Sequence, residues 1–181
     1  MKNNPKIVIT VGDEAGVGPE IILKALASRE IPKKINIIIV GNKKNLISKY
    51  LFLKSLGIEK IADPNELHIE DLKISDTEVK KPSNDTGNAS FLYLKYAIEV
   101  VKNSQNSALV TSPICKKLWN AAGHKYSGQT ELLSEICGSP NVGMLFTAKS
   151  PFTGWRFNTL LATTHLPIRE VPDKLNKNLI N

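Results

Sequence analysis

The stretch from Ile7 to Lys24 constrains the fold of this chain more than any other. It begins with five apolar or β-branched residues, passes through a loop that contains three glycines, and ends in an apolar run that opens with Pro19. Proline suits the first position of a helix, and Glu20 in the first turn complements the helix dipole. The pattern therefore predicts a buried β-strand, a tight loop and an α-helix, the repeating unit of α/β sheets.

The loop at residues 12–18 fits neither of two common nucleotide-binding motifs. A dinucleotide fingerprint counted from Gly16 needs a third glycine where Ile21 stands, and the Gly-Lys-Ser/Thr ending of a Walker loop is absent. Backbone N–H groups of the loop can still face an anionic ligand, and Asp13 and Glu14 follow the carboxyl end of the strand, where α/β sheets place their sites. A purely structural turn, with glycines present for backbone geometry alone, is the equal alternative.

Composition excludes several classes of protein. The 181 residues are 41% hydrophobic and 23% charged, which is typical of a globular domain with a substantial core. No apolar run approaches the ~20 residues of a membrane helix, and the first residues show no signal-peptide pattern. We therefore predict a cytoplasmic protein without membrane association, in which Cys115 and Cys137 are reduced thiols.

The net charge of +7 raises the question of nucleic-acid binding. The lysines come as scattered pairs, only three arginines are present, and aromatic residues make up 6% of the chain. Direct nucleic-acid recognition is therefore not expected. A solvated lysine-rich surface is one interpretation, and a mild positive field that favours a phosphorylated substrate is the other.

The chain alternates between strand and helix patterns, and this alternation predicts an α/β sheet with parallel pairs. Strands are predicted at 7–11, 34–41, 107–111, 142–146 and 155–163, with short candidates at 58–61 and 67–74. Helices are predicted at 19–26, 42–57, 89–101, 114–122 and 131–137, with a loop-rich segment at 80–90. After Pro172, Leu175 and Leu179 share one helical face, which predicts either a short docked helix or a chain that ends inside a larger fold.

Five segments resemble, in order and approximate spacing, the 4-hydroxythreonine-4-phosphate dehydrogenases of pyridoxal phosphate biosynthesis. They are Gly12–Ile21, Thr111–Lys116, Asn120–Gly123, Gly128–Glu131 and Ala162–Pro167. The resemblance covers residues 7–172, but only about the N-terminal half of the family's usual length. It implies that residues 1–181 form the N-terminal portion of a two-lobed α/β fold, a sheet flanked by helices like that of isocitrate and isopropylmalate dehydrogenases, with the C-terminal half absent.

The resemblance also implies an activity. A homodimer with a shared active site would oxidise the secondary alcohol of the small phosphorylated hydroxy acid 4-phosphohydroxy-L-threonine with NAD or NADP, and the resulting β-keto acid would lose carbon dioxide. A divalent metal (Zn, Mg or Co) would polarise the alcohol oxygen. Because its remaining ligands are expected beyond residue 181, the chain alone is expected to be inactive. The alternative is a truncated, non-catalytic copy or partial fold that serves in dimerisation or phosphate binding.

Three residues match functional positions of the family. His165 matches a metal ligand, Thr130 matches a threonine that contacts substrate, and Lys116 matches a lysine that could hold an anionic group or a carbonyl, which makes it the catalytic candidate. Each has a structural alternative. His165 could be a hydrogen-bonded loop histidine, and Thr130 could be the N-cap of a helix that starts at Glu131. Lys116 could be a solvated helix charge like Lys117.

Asp13 and Gln129 complete the predicted substrate-binding set. Asp13 would line the cleft or orient a neighbour, and its alternative is a capping aspartate. The family usually has histidine where Gln129 stands; glutamine can bond a substrate oxygen, but it cannot carry a proton at neutral pH. The family usually has proline where Glu14 stands, so Glu14 is expected to add a negative charge beside the possible anion site. His68 and His124 match no motif and are expected at the surface.

Overall fold

The computed structural model describes residues 4–28, 30–32, 34–74, 79, 81–139, 141–163 and 166–180. The chain divides into two compact units, Met1–Cys137 and Gly138–Asn181. Across the described residues, no helix is both long and apolar enough to cross a membrane.

The first unit is built on a parallel sheet, as the alternating pattern predicts. Its strands are β1 (Lys6–Thr10), β2 (Asn36–Gly41), β3 (Ile69–Asp71) and β4 (Ser107–Thr111). All pairs are parallel and the order is β3-β2-β1-β4. The strand of the opening stretch therefore lies inside the sheet, where Thr10 pairs with Val40 on one side and with Thr111 on the other.

Helices connect the strands and cover the sheet. They are α1 (Gly18–Leu26), α2 (Lys43–Ser55), α3 (Asn84–Lys102), α4 (Lys116–Ala121) and α5 (Gln129–Cys137), with a 3-10 turn at Pro64–Glu66. Asn42, the first residue of the helix predicted at 42–57, caps α2, because its side chain accepts a hydrogen bond from the backbone N–H of Asn45. Gly57 follows α2 with a positive φ of 77°, a conformation that suits glycine at a helix end.

Helix α3 begins five residues before the predicted start at Ala89, inside the segment predicted as a loop. Ser83 and Thr86 form a reciprocal capping box that satisfies the first N–H groups, so polar residues 84–88 are drawn into the helix. Gly87 then allows close contact with α4, since a Cβ added there would lie 2.6 Å from the Leu118 carbonyl oxygen. The strand candidate at 58–61 is wrong, because the N–H of Ile61 bonds locally to the Glu59 carbonyl.

Apolar side chains cover the sheet on both faces. On one face, Ile39 packs in a cluster with residues of α1 and α2, including Leu23 and Leu46. On the other face, Val8 and Val40 pack against α3 through residues such as Tyr93. A third cluster, which includes Trp119 and Leu132, joins α3, α4 and α5. This two-sided burial explains the continuous apolar runs of the strands.

The second unit is a two-stranded antiparallel hairpin followed by short helical turns. The elements are β5 (Met144–Lys149), β6 (Arg156–Leu161), a 3-10 turn at Ile168–Glu170, α6 (Val171–Lys174) and α7 (Lys177–Ile180). The expected shared helical face of Leu175 and Leu179 is wrong, because α6 ends at Lys174 and Leu175 has an extended backbone. Large apolar side chains of the unit are exposed, among them Phe152 at 95% and Leu160 at 67%.

We expect the isolated chain to self-associate because of these exposed apolar side chains. Light scattering should give a mass above that of one chain. The double variant Phe152→Ser, Leu160→Ser should lower that mass, whereas Leu51→Ser, which changes an exposed leucine of α2, should not. A monomer at all concentrations would contradict the expectation.

Candidate functional site

Two loops meet at the carboxyl edge of the sheet, between β1 and β4. The chain leaves β1 towards its neighbour β2, while β4 lies on the opposite side of β1, so the strand order switches here. Open α/β sheets bind ligands at such a switch point. The loops are joined directly, because the backbone N–H of Asp13 donates to the Pro113 carbonyl oxygen over 3.1 Å.

The glycines of the first loop are required by its backbone geometry. Gly12 has φ of +70°, and a Cβ added there would overlap the Pro113 carbonyl oxygen. A Cβ added at Gly18 would overlap the Val11 carbonyl oxygen. Backbone geometry therefore requires glycine at positions 12 and 18, and anion binding by the loop stays a prediction.

Asp13 is buried at the base of this loop, with 5% of its surface exposed. Its Oδ1 accepts a hydrogen bond from the backbone N–H of Ala15 over 3.0 Å, and its carbonyl accepts one from Gly16. These bonds close a turn of the kind that aspartate favours. Asp13 does not cap α1, because the N-cap position is Val17.

Gln129 brings α5 to the loop that follows β4. Its Nε2 donates to the Ser112 carbonyl oxygen over 3.2 Å. A carbonyl can only accept, so this contact determines which end of the amide faces Ser112. The Oε1 atom is buried and has no hydrogen-bond partner within the described part of the chain. Gln129 therefore retains an acceptor that a hydroxyl or ammonium donor could satisfy.

Lys116 and Thr130 lie close to this amide in the chain's fold. Lys116 begins α4, and a Cβ added at Gly128 would lie 3.4 Å from both its Cε and its Nζ, so the lysine side chain passes over the residue before Gln129. Thr130 is exposed in the first turn of α5. Because α5 begins at Gln129 rather than at Glu131, Thr130 is not its N-cap.

His165, the predicted metal ligand, lies outside the described residues. Among the described residues, no three histidine, cysteine, aspartate or glutamate side chains come together to hold a metal ion. Catalytic zinc typically needs three protein ligands. The described residues therefore do not supply a metal site, and the glycine loop supplies no dinucleotide fingerprint.

Glu14 is the residue whose role the sequence did not indicate. Its side chain is only 5% exposed, and the carboxylate accepts hydrogen bonds from the hydroxyl of Tyr93, from Asn45 Nδ2 and from the backbone N–H of Asn42. The O···O and N···O distances for the first two are 2.7 Å. The Glu14 carboxylate is therefore held inward, against α2 and α3, rather than facing the predicted anion site. In the sequence, a partner for Glu14 is indicated only by Tyr93, whose hydroxyl lies within the apolar face of α3.

The free energy of unfolding is expected to fall as pH rises through the pKa of Glu14. Burial raises this pKa above its ordinary value, more than the bonds from Tyr93, Asn45 and Asn42 lower it. Between the unfolded and the folded pKa, the native chain then binds more protons than the unfolded chain. The stabilisation is therefore complete below the unfolded pKa and is lost as pH rises through the folded pKa.

Thermal unfolding of the wild type and of Glu14→Gln, which does not titrate, measures this effect. The stability of the wild type relative to the variant should decline from acidic towards neutral pH. A relative stability that is constant, or that increases with pH, would contradict the raised pKa.

His124 is half-buried, whereas His68 is more than half exposed, as expected. The His124 ring stacks on Phe91 with centroids 3.7 Å apart, and its Nε2 lies 2.8 Å from Asn88 Oδ1. Burial lowers the pKa of His124, with a smaller contribution from the charge of Lys95. His124 therefore packs α3 against the segment after α4 and takes no part in the site.

Comparison with known proteins agrees with the resemblance. The family model for the pyridoxal phosphate biosynthetic protein PdxA matches residues 33–181. A 4-hydroxythreonine-4-phosphate dehydrogenase from Nostoc sp. is 43% identical over 99% of this chain and 51% of its own length. One from a Synechococcus strain is 47% identical over 94% of this chain and 51% of its own length. The chain thus spans about half the length of the curated relatives it matches.

Solved structures match the fold over nearly the whole chain. A 4-hydroxythreonine-4-phosphate dehydrogenase from Burkholderia phymatum superposes with a TM-score of 0.79 at 27% identity, covering 97% of this chain and 55% of that one. The enzyme of that name from Klebsiella pneumoniae gives a TM-score of 0.80 at 26% identity, covering 97% and 56%. Because the family model matches most of the residues of this chain, the chain belongs to the PdxA family of pyridoxal phosphate biosynthetic proteins.

Proposed function

We propose that this chain supplies the substrate-binding wall of a 4-hydroxythreonine-4-phosphate dehydrogenase. The observation that carries the proposal is the similarity of nearly the entire chain to relatives that bear this name. The site geometry supports it, because the loops after β1 and β4 and the start of α5 meet at one switch point.

The proposed reaction oxidises the secondary alcohol of 4-phosphohydroxy-L-threonine, with hydride transfer to NAD or NADP, and the β-keto acid then loses carbon dioxide. A divalent metal would polarise the alcohol oxygen. Since the described residues supply neither a metal-ligand set nor a dinucleotide fingerprint, both cofactors stay predictions from the resemblance. His165 keeps its proposed place as one metal ligand.

The described residues can perform three tasks for such a substrate. The ammonium of Lys116, the proposed catalytic residue, can pair with a carboxylate, a phosphate or the developing carbonyl oxygen. The hydroxyl of Thr130 can donate to an anionic oxygen, and Gln129 Oε1 can accept from a substrate hydroxyl. Asp13, closed into its turn, shapes the wall of the cleft. Gln129 cannot act as an acid or base at neutral pH, so proton transfer is assigned to other groups.

A chimera tests this function. Residues 1–181 would replace the matching half of the Nostoc relative, and reduction of NAD or NADP by 4-phosphohydroxy-L-threonine would be followed by absorbance. We expect turnover by the chimera and none by the isolated chain. A chimera that folds and dimerises but shows no turnover would overturn the proposal and favour the non-catalytic alternative. Turnover by the isolated chain would refute the need for a second half.

Lys116→Met in this chimera should lower kcat/KM by about tenfold to a hundredfold, because a charge-assisted contact to the substrate is lost. Lys117→Met is the matched control, since it removes the neighbouring exposed charge of the same helix. Equal effects of the two substitutions would show that only the general positive field matters.

A homodimer with a shared site and a cytoplasmic location complete the proposal. The dimer is supported by the exposed apolar side chains of the second unit. Mixing chimeras that carry Lys116→Met or a substitution in the second half tests the shared site. Recovery of turnover in the mixed dimers is expected, and its absence would assign each site to one subunit.

A further inference from the structure

We propose that Glu14 and Tyr93 are positioning residues of the candidate site, which hold the loop between β1 and α1 in register with the loop after β4. The inference rests on the proposed function for its catalytic consequence. The hydrogen-bond network around the buried Glu14 carboxylate restrains the loop without contacting a ligand.

The network joins three elements through one carboxylate. Oε1 of Glu14 accepts from the Tyr93 hydroxyl, which comes from α3, and from the N–H of Asn42 at the start of α2. Oε2 accepts from Asn45 Nδ2 in the first turn of α2. The amide of Asn45 is itself held, because its Oδ1 accepts from the N–H of Val79. The loop after β1 is therefore attached to both layers of helices that cover the sheet.

The contacts continue from Glu14 to the residues proposed to face substrate. Its neighbour Asp13 donates a backbone N–H to the Pro113 carbonyl oxygen. A Cβ added at Gly12 or at Gly18 would lie 3.0 or 3.2 Å from the Cβ of Ser112, so the loops touch without spare room. The Ser112 carbonyl in turn holds the amide of Gln129. A displacement of the first loop must therefore move Ser112 or break its contacts.

Stability alone does not account for this arrangement. A buried carboxylate loses its hydration, and a well-packed apolar group of similar size is often as stable or more stable. Three directed hydrogen bonds, however, determine the orientation of a loop in a way that apolar contacts do not. The family usually has proline where Glu14 stands, and a proline ring restricts the backbone directly. In this chain, the hydrogen bonds to Glu14 restrain the loop instead.

Two substitutions on the same helix separate this role from general stability. Tyr93→Phe removes the hydroxyl that bonds Glu14, while Tyr96→Phe removes a hydroxyl of α3 that bonds the exposed carboxylate of Glu70. Nuclear magnetic resonance of the labelled chain would follow two probes, the backbone N–H of Asp13 and the side-chain amide of Gln129. We expect the chemical shifts of both groups to change in Tyr93→Phe and to stay unchanged in Tyr96→Phe.

The opposite result would overturn the inference. If both probes keep their wild-type positions in a folded Tyr93→Phe chain, the network is only structural. If Tyr93→Phe does not fold, Glu14→Gln is the second test of positioning. It keeps the shape of the side chain, but its amide N–H₂ would face a donor group of Asn42 or Asn45. The two probes should then move, and unchanged probes would reject the proposal.

The chimera supplies the catalytic readout. Tyr93→Phe should raise KM for the phosphorylated hydroxy acid on the order of tenfold, since binding groups are misplaced rather than removed, and Tyr96→Phe should leave both kinetic constants unchanged. Unchanged KM and kcat in Tyr93→Phe would reject positioning while leaving the proposed function intact. An inactive parent chimera would reject the proposed function, and the resonance experiment would still decide on positioning.

Discussion

Gly12→Ala is expected to lower the free energy of unfolding by about 2–4 kcal/mol, the combined result of backbone strain and overpacking. Gly12 has φ of +70°, which disfavours any residue with a side chain, and its added Cβ would overlap the Pro113 carbonyl oxygen. The carbonyl cannot retreat without breaking its bond from the Asp13 N–H. Urea denaturation followed by circular dichroism measures the effect.

Gly57→Ala and Gly18→Ala separate the two causes. Gly57 has a similar φ of +77°, but among the described residues no atom beyond its chain neighbours lies within 4 Å of its added Cβ, so only strain of about 1 kcal/mol is expected. Gly18 starts a helix without such strain, and its added Cβ would overlap the Val11 carbonyl oxygen. If Gly12→Ala lowers the free energy of unfolding no more than Gly57→Ala does, the two loops leave room for a Cβ at position 12, contrary to the expected overlap.

Trp119→Ala is expected to be at least as damaging, at about 3–5 kcal/mol. Its side chain is fully buried, its ring meets Phe91 edge to face with centroids 5.3 Å apart, and its Nε1 donates to Ser90 Oγ over 2.8 Å. Removal would leave a large cavity where α3 and α4 meet. Since α4 carries Lys116, the site should also be disturbed.

Trp155→Ala is the matched control for this substitution. Trp155 is 64% exposed in the second unit, so its removal should change the free energy of unfolding by about 0.5 kcal/mol or less. Trp119→Phe should recover part of the loss by refilling the cavity without the hydrogen bond to Ser90. Similar losses at positions 119 and 155 would contradict the burial that distinguishes them.

Much of the fold was predictable because local patterns and tertiary environment agree. The apolar runs at β1 and β2 are buried on both faces of a parallel sheet, as continuous hydrophobic strands require. Asn42 and Gly57 bound α2 as their capping chemistry predicts. The prediction was wrong at the start of α3, because residues 84–88 carry loop-type side chains and only the capping box of Ser83 with Thr86 draws them into the helix.

The candidate site was predictable only in part. Order and spacing of motifs pointed to Lys116, Gln129 and Thr130. The structure places the Lys116 side chain beside Gly128 and the Gln129 amide on the Ser112 carbonyl. Their spacing could not show that Nε2 of Gln129 is engaged by Ser112, since that contact joins residues 17 positions apart. His165 lies outside the described residues and keeps the role that the resemblance alone assigns to it.

The amino-acid sequence by itself determined the alternation of strands and helices along the chain, because hydrophobic period, caps and glycines act over a few residues. The family followed separately, from the resemblance of five motifs in order. Only the tertiary structure decided what Glu14 does. Its partner Tyr93 is 79 residues away, and a carboxylate read in isolation looks like an exposed charge. Burial between two layers of helices, rather than residue type, turned that expected charge into the anchor of the loop that opens the chain.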